Sequence, residues 1–252
     1  MAKRSKIVSL WLVLALSYLG LITIASKSAV ANEQKIRILI ITGGHDFERE
    51  AFFKIFSDMD NMTFREAKHP DANDAYFPDA AKEYDVMVFY DMNQNIMEQQ
   101  KEALVNLLKK GKGLVVLHHA LANYQDWPEY EKIIGGRYFL KDTERDGILY
   151  PRSTYQHDLD LNIRIADTRH PVTKGVKDFF IRDEAYGGFS VSKSVQPLLT
   201  TDHAQSGSIV GWTHQYGKSK IVVIQLGHDH LAYENASYRT LVAQAVRWVS
   251  QK

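Results

Sequence analysis

Apolar positions in this chain gather into short unbroken runs, and three of those runs lead into histidine. Ile38-Leu39-Ile40-Ile41 leads to Gly43-Gly44-His45-Asp46, Leu114-Val115-Val116-Leu117 to His118-His119, and Ile221-Val222-Val223-Ile224 to Gly227-His228-Asp229-His230. Runs of this length, rich in β-branched residues and closed by glycine or polar residues, predict strands buried on both faces of a parallel sheet. Ligands of such sheets bind just beyond the carboxyl ends of the strands. The pattern therefore predicts that His45, His118 and His228 meet in one crevice.

The intervening segments supply the crossovers. A strand over 35–42 is followed by a helix in which Phe52, Phe53, Ile55, Phe56 and Met59 recur at near-helical spacing, with Asp46 in the N-cap position. Strands follow over 63–67 and 84–90, then a helix over 97–110 through Leu104, Leu107 and Leu108 with Gly111 as its C-cap, then a strand over 113–117. This β-α-β-α-β order implies parallel strands joined by right-handed crossovers. A short helix after Pro128 ends at Gly135-Gly136.

From Tyr155 to Ile165 the period changes to two, the mark of a half-buried antiparallel strand. The stretch from His170-Pro171 through Asp183-Glu184-Ala185-Tyr186-Gly187-Gly188 reads as a loop. Residues 208–226 read as a hairpin turning at Tyr216-Gly217-Lys218, and a last amphipathic helix covers 235–249.

Composition changes the picture at the N-terminus. Lys3, Arg4 and Lys6 precede the apolar stretch 7–25, and Ala29-Val30-Ala31 offers a small-x-small cleavage site. Residues 1–31 are expected to be a signal peptide and 32–252 a single domain, with the protein periplasmic or secreted. The stretch also has the length of a membrane span, so an uncleaved N-terminal anchor is the alternative. Cleavage would leave 27 basic against 30 acidic side chains, no electrostatic footprint for nucleic acid. There is no cysteine, which excludes disulfides, thiolate metal sites and a thiol nucleophile.

The chemistry then rests on histidine and carboxylate. His118 occupies the strand-to-helix turn where α/β-hydrolases and glutamine amidotransferases hold their nucleophile, yet Leu117-His118-His119-Ala120 offers neither Ser nor Cys. Acid/base work or metal ligation remains, both natural to an imidazole. Alternation along a strand predicts that one member of the His118-His119 pair faces the core. Glu184 in Asp183-Glu184 is the carboxylate candidate of the second half. Asp229 is placed to orient an imidazole. His69, His157, His170, His203 and His214 are assigned to structure or surface.

Taken in order, several segments resemble the ThuA-like (trehalose-utilisation) family. They are Gly43-Gly44-His45-Asp46-Phe47, Gly111-Lys112-Gly113 through His118, Trp127, Gly135-Gly136-Arg137-Tyr138-Phe139, His170-Pro171, Asp183-Glu184-Ala185-Tyr186, Gly211-Trp212-Thr213, Leu226-Gly227-His228-Asp229 and Arg247-Trp248. Two positions depart from the family pattern: Leu140-Lys141-Asp142 stands where a further His is common, and Ser219-Lys220 where Gly-Arg is common.

The resemblance implies a flavodoxin-like, class I glutamine amidotransferase-like α/β three-layer sandwich, with a mostly parallel sheet and an added antiparallel β-hairpin. It also implies carbohydrate metabolism without glutaminase activity. The expected protein is thus an enzyme acting on a sugar or keto-sugar by isomerase, lyase or hydrolase-type chemistry. His118, His228 and Glu184 would move protons. His45, Asp183 and Asp229 would position a small-molecule carbohydrate against Tyr186 or Trp212. Two alternatives stand beside it: a hydrolase using a divalent metal such as zinc on His45, His118, His228 and Glu184, and a non-catalytic sugar-binding protein.

Overall fold

The computed structural model describes residues 35–251, so the expected leader and its cleavage site lie outside the described residues. The first half lays down strands β1 (Ile36–Gly43), β2 (Met62–Lys68), β3 (Val86–Asp91) and β4 (Gly113–Leu117), with helices α1 (Arg49–Ser57) and α2 (Glu98–Lys109) as crossovers. Next come α3 (Pro128–Ile134), the short strand β5 (Gly136–Arg137), and the projecting hairpin of β6 (Thr143–Arg145) and β7 (Ile148–Tyr150). Then follow β8 (Thr154–Ile165), β9 (Phe179–Gly187), the two-residue β10 (Ser190–Val191), β11 (Gln196–Thr200), β12 (Ile209–Tyr216) and β13 (Ser219–Ile224). Helices α4 (His230–Tyr233) and α5 (Ala236–Ser250) end the chain.

One sheet runs β2-β1-β3-β4-β13-β12-β11-β8-β9. Its first five strands are mutually parallel and reproduce the flavodoxin order, with the fifth strand supplied late in the chain. The remaining pairings are antiparallel, so β8, β9 and β11 extend the expected hairpin of β12 and β13.

The unbroken apolar runs have a direct cause. Along β1, Ile38 and Ile40 belong to the core that includes apolar residues of α1 and α5, whereas Leu39 and Ile41 belong to the core on the other face, which includes those of α2 and α3. Both faces are covered, so both sets of alternating positions must be apolar. Asn235 caps α5, its side chain accepting from the amides of Ser237 and Tyr238.

Three expectations are corrected. Asp46 does not cap α1: the helix starts after Glu48, because Phe47 is held edge-on against Phe52 and Tyr90 and delays the first turn. Asp183-Glu184-Ala185-Tyr186 is not a loop but the second half of β9, with all four residues buried. Nor does strand alternation separate His118 from His119, since both open a 3-10 turn (His118–Ala122) and both are buried.

Candidate active site

The site forms where β4, β9 and β13 come together. His118 follows the last residue of β4 with a left-handed backbone, φ +47, a strained conformation for a non-glycine residue. That turn drops its ring under the chain leaving β13. Its Nδ1 lies 2.7 Å from the carbonyl of Gln225, which can only accept, so Nδ1 carries the hydrogen and Nε2 presents a lone pair.

Three groups face that Nε2: Glu184 Oε2 at 2.9 Å, Tyr186 Oη at 2.9 Å and His228 Nδ1 at 3.2 Å. His228 Nδ1 is in turn 3.3 Å from Glu184 Oε2. Glu184 and Tyr186 are two apart on β9, so the pleat points both at the site. The residue between them and the one before face the other way, and Asp183 uses that position structurally. Its carboxylate accepts the amides of Gly227 (2.7 Å), His228 (2.9 Å) and Glu184 (2.8 Å).

The loop so held admits only glycine at 227: φ is +111, and a Cβ would lie 2.1 Å from the Tyr238 hydroxyl oxygen. Gln225 closes the frame, its side-chain amide donating to the Glu184 carbonyl at 3.0 Å.

Burial disfavours the charged form of Glu184, but its contacts with the His118 and His228 imidazoles outweigh burial and hold the carboxyl well below its usual range. The same contact from the Glu184 side raises His228 above its ordinary value, against partial burial. Burial pushes the Tyr186 hydroxyl up, so it stays protonated beside His118 Nε2.

The expected convergence of the three strand-end histidines is found: the His118 and His228 rings are 5.2 Å apart and His45 lies 6.4 Å from His228. His45 stands at the rim, stacked at 4.6 Å on buried His119. His119 Nε2 points to the Tyr90 carbonyl at 3.3 Å, and its buried Nδ1 has no partner. Burial holds the His119 imidazole well below its ordinary value, hence neutral.

Other candidates lie elsewhere. Trp212 is fully buried, its indole N–H donating to the Ile134 carbonyl at 2.8 Å, so its ring belongs to the core. Asp229 caps α4 through the Leu231 amide at 2.9 Å.

The residue that sequence reasoning missed is His157. Pairing of β8 with β9 slips between Gln156 and Leu159, and Asp158 takes φ +60. This bulge re-aims the strand. His157 Nδ1 ends 3.4 Å from Glu184 Oε1, with its ring 4.7 Å from that of His228, while the side chain stays half exposed. A bulge leaves no simple mark in an alternating pattern.

Glu184, Tyr186 and His157 line a cleft of ≈ 270 Å³, walled also by Tyr138, Tyr155, His45 and His119, with Arg152 on its lining. A larger groove of ≈ 940 Å³ at the amino ends of the strands contains no histidine. Chemistry, not size, selects the smaller one.

His118, Glu184 and His228 form a group able to hold a metal ion. Ligand atoms about 2.0–2.1 Å from one zinc ion in tetrahedral geometry sit about 3.3 Å from each other. The separations of 3.2 and 3.3 Å match that spacing, and the His118–Glu184 one, 2.9 Å, is tighter.

No curated protein matches the chain. Among solved structures, a ThuA-like protein from Parabacteroides merdae superposes with a TM-score of 0.71 at 18% identity, over 86% of this chain and 90% of that one. A ThuA-like protein from Bacteroides uniformis gives 0.63 at 20% identity, over 88% and 94%. A cytoplasmic protein from Salmonella typhimurium gives 0.60 at 12%, over 86% and 100%. At these identities the likeness is one of fold. Sequence adds the rest: residues 37–249 match the ThuA family, described as trehalose utilisation, and the chain belongs to that family.

Proposed function

We propose that this protein is a divalent-metal-dependent enzyme acting on a sugar or keto-sugar, with His118, Glu184 and His228 as the metal ligands. One observation carries the reading. Two imidazole nitrogens and a carboxylate oxygen converge on one small volume, and His118 Nε2 is bound to be an acceptor because its Nδ1 hydrogen is used by Gln225. Acceptors crowded together repel each other unless a cation or a proton sits between them.

A divalent ion there would act as a Lewis acid on a substrate carbonyl or hydroxyl oxygen. The chain's own residues do the remainder. Gln225 fixes the His118 tautomer, and Asp183 fixes the backbone of the His228 loop. Half-exposed His157, beside Glu184, is placed to exchange a proton with a bound substrate. Tyr138 and Tyr155 offer apolar faces to a sugar ring. The family's association with trehalose utilisation supports a carbohydrate, and the absence of cysteine from the chain rules out a thiol glutaminase.

Without the ion, the meeting of Tyr186 Oη, His118 Nε2 and Glu184 Oε2 favours a second reading, proton transfer by the same residues. Export belongs to the proposal too, supported by the basic start and the apolar stretch 7–25. N-terminal sequencing of protein recovered from cell fractions tests it.

Metal analysis of protein purified without a histidine tag, paired with product analysis on a panel of sugars and keto-sugars, separates the two readings. The metal reading expects about one ion per chain and product formation that chelators abolish. Substoichiometric metal, removed with no change in turnover or melting, would overturn it in favour of proton transfer.

A further inference from the structure

Resting on that reading, we infer that the cleft takes a small sugar bearing an anionic oxygen group, a carboxylate or a phosphate, which pairs with the guanidinium of Arg152. Arg152 is the one lysine or arginine on the cleft lining. The other acid-base groups there do not neutralise it: Glu184 faces His118, His228 and His157.

Most arginines of this fold hold a carboxylate. Arg37 pairs with Asp85, Arg49 with Glu66, Arg145 with Glu131, Arg164 with Asp202 and Arg239 with Asp58. Arg152 has no such partner among the described residues, although Arg145 nearby in sequence does.

The backbone that carries it is fixed. The Arg152 amide donates to Asp142 Oδ1 at 2.8 Å. Ser153 is buried, with its amide on the Phe139 carbonyl at 2.9 Å, its hydroxyl oxygen accepting the Phe139 amide at 3.0 Å, and its carbonyl accepting the Tyr138 hydroxyl at 3.2 Å. A rigid root with a guanidinium that no carboxylate bridges is what bidentate recognition of a carboxylate or phosphate requires. The division of labour follows: the histidine–glutamate end acts on a neutral carbonyl or hydroxyl, and the arginine end holds the charge.

Size narrows the ligand further. At ≈ 270 Å³ the cleft lies below the roughly 300–1,000 Å³ of sites for drug-sized ligands, so it suits one sugar unit and not a whole disaccharide.

Calorimetric titration of the metal-loaded protein with gluconate, glucose 6-phosphate and glucose tests this. At least one anion is expected to bind about ten- to hundredfold more tightly than glucose. Which anion does so identifies the group. Arg152→Gln should erase the preference, while Arg152→Lys, which keeps charge but not the fork, should retain part of it. Melting curves and metal content of both variants should match the parent. Equal affinity for all three compounds, no binding of any, or a preference that survives Arg152→Gln would overturn the inference. Metal content of the parent reads the ligand-triad proposal separately: an intact ion without anion preference sinks only the arginine assignment. Anion preference without an ion sinks only the metal.

Discussion

His69 and Asp91 pair at 2.9 Å at the ends of β2 and β3, and His118 and Glu184 pair at 2.9 Å beyond β4, so one sheet edge carries two histidine–carboxylate contacts of equal length. The first is sealed. Both side chains are buried, and the second oxygen of Asp91 accepts the Asn123 amide at 2.9 Å, which in turn accepts the Asn93 backbone amide at 2.8 Å. The second is open. Glu184 faces three histidines, two of them partly exposed, on the wall of a cleft. The contrast teaches that a buried histidine–carboxylate pair is not in itself a site: the sealed pair ties loops together, with His69 Nδ1 buried away from any cleft, and only the open pair has its carboxylate on a wall that a ligand can reach.

The strongest test of that contrast is Glu184→Gln. It should lower turnover on the order of a thousandfold and strip the metal. Steady-state rates and metal analysis check it, and full retention of both would erase the distinction between the pairs.

Asp91→Ala should do the reverse. Breaking a buried pair costs about 3–5 kcal/mol, a drop of about 10 °C in melting temperature for a domain of this size. Metal stoichiometry measured below the transition should be unchanged.

His157→Gln sharpens the open side. Turnover should fall about ten- to hundredfold with metal content and melting preserved, since His157 meets Glu184 at Oε1, not at the Oε2 that faces His118 and His228. A metal-content loss in this variant would instead make His157 a support of the ligand set.

The smallest effect is one of pH. His228 has its folded pKa raised by Glu184, so in metal-free protein its contribution is complete below its unfolded value, about 6.5, and fades as pH rises through the folded one. Glu184, held low, loses its contribution only as pH falls below the ordinary carboxylate range. Melting temperatures of the metal-free protein should therefore decline above about pH 6.5, and Glu184→Gln should flatten that decline. Metal affinity should change oppositely, rising as His228 gives up its proton.

The parallel half of this fold is readable because covering on both faces forces continuous apolar runs, as in β1 and β4. His118 and His228 were legible for the same reason: His118 directly follows such a run, and His228 comes four residues after the end of another. Glu184 was legible as a residue but not as part of a strand. Asp183 and Glu184 look like a solvated turn because acids in sequence usually are, and nothing local says that three backbone amides await one and two imidazoles the other. His157 depended on a bulge, and Trp212 on whether an indole N–H finds a carbonyl inside the core. Such facts arise from contacts between residues distant in sequence, to which periodicity is blind.

The three-amide grip of Asp183 has a consequence for selectivity. It locks the strand bearing Glu184 to the loop bearing His228, so these two proposed ligands would be held from drifting apart to admit a larger ion. Calcium asks for six to eight oxygen ligands at about 2.3–2.6 Å, more room and more oxygens than two imidazoles and one carboxylate in a fixed frame provide. The clamp would thus act as a size filter, favouring a small ion with an affinity for nitrogen, such as zinc, over calcium even where calcium is abundant.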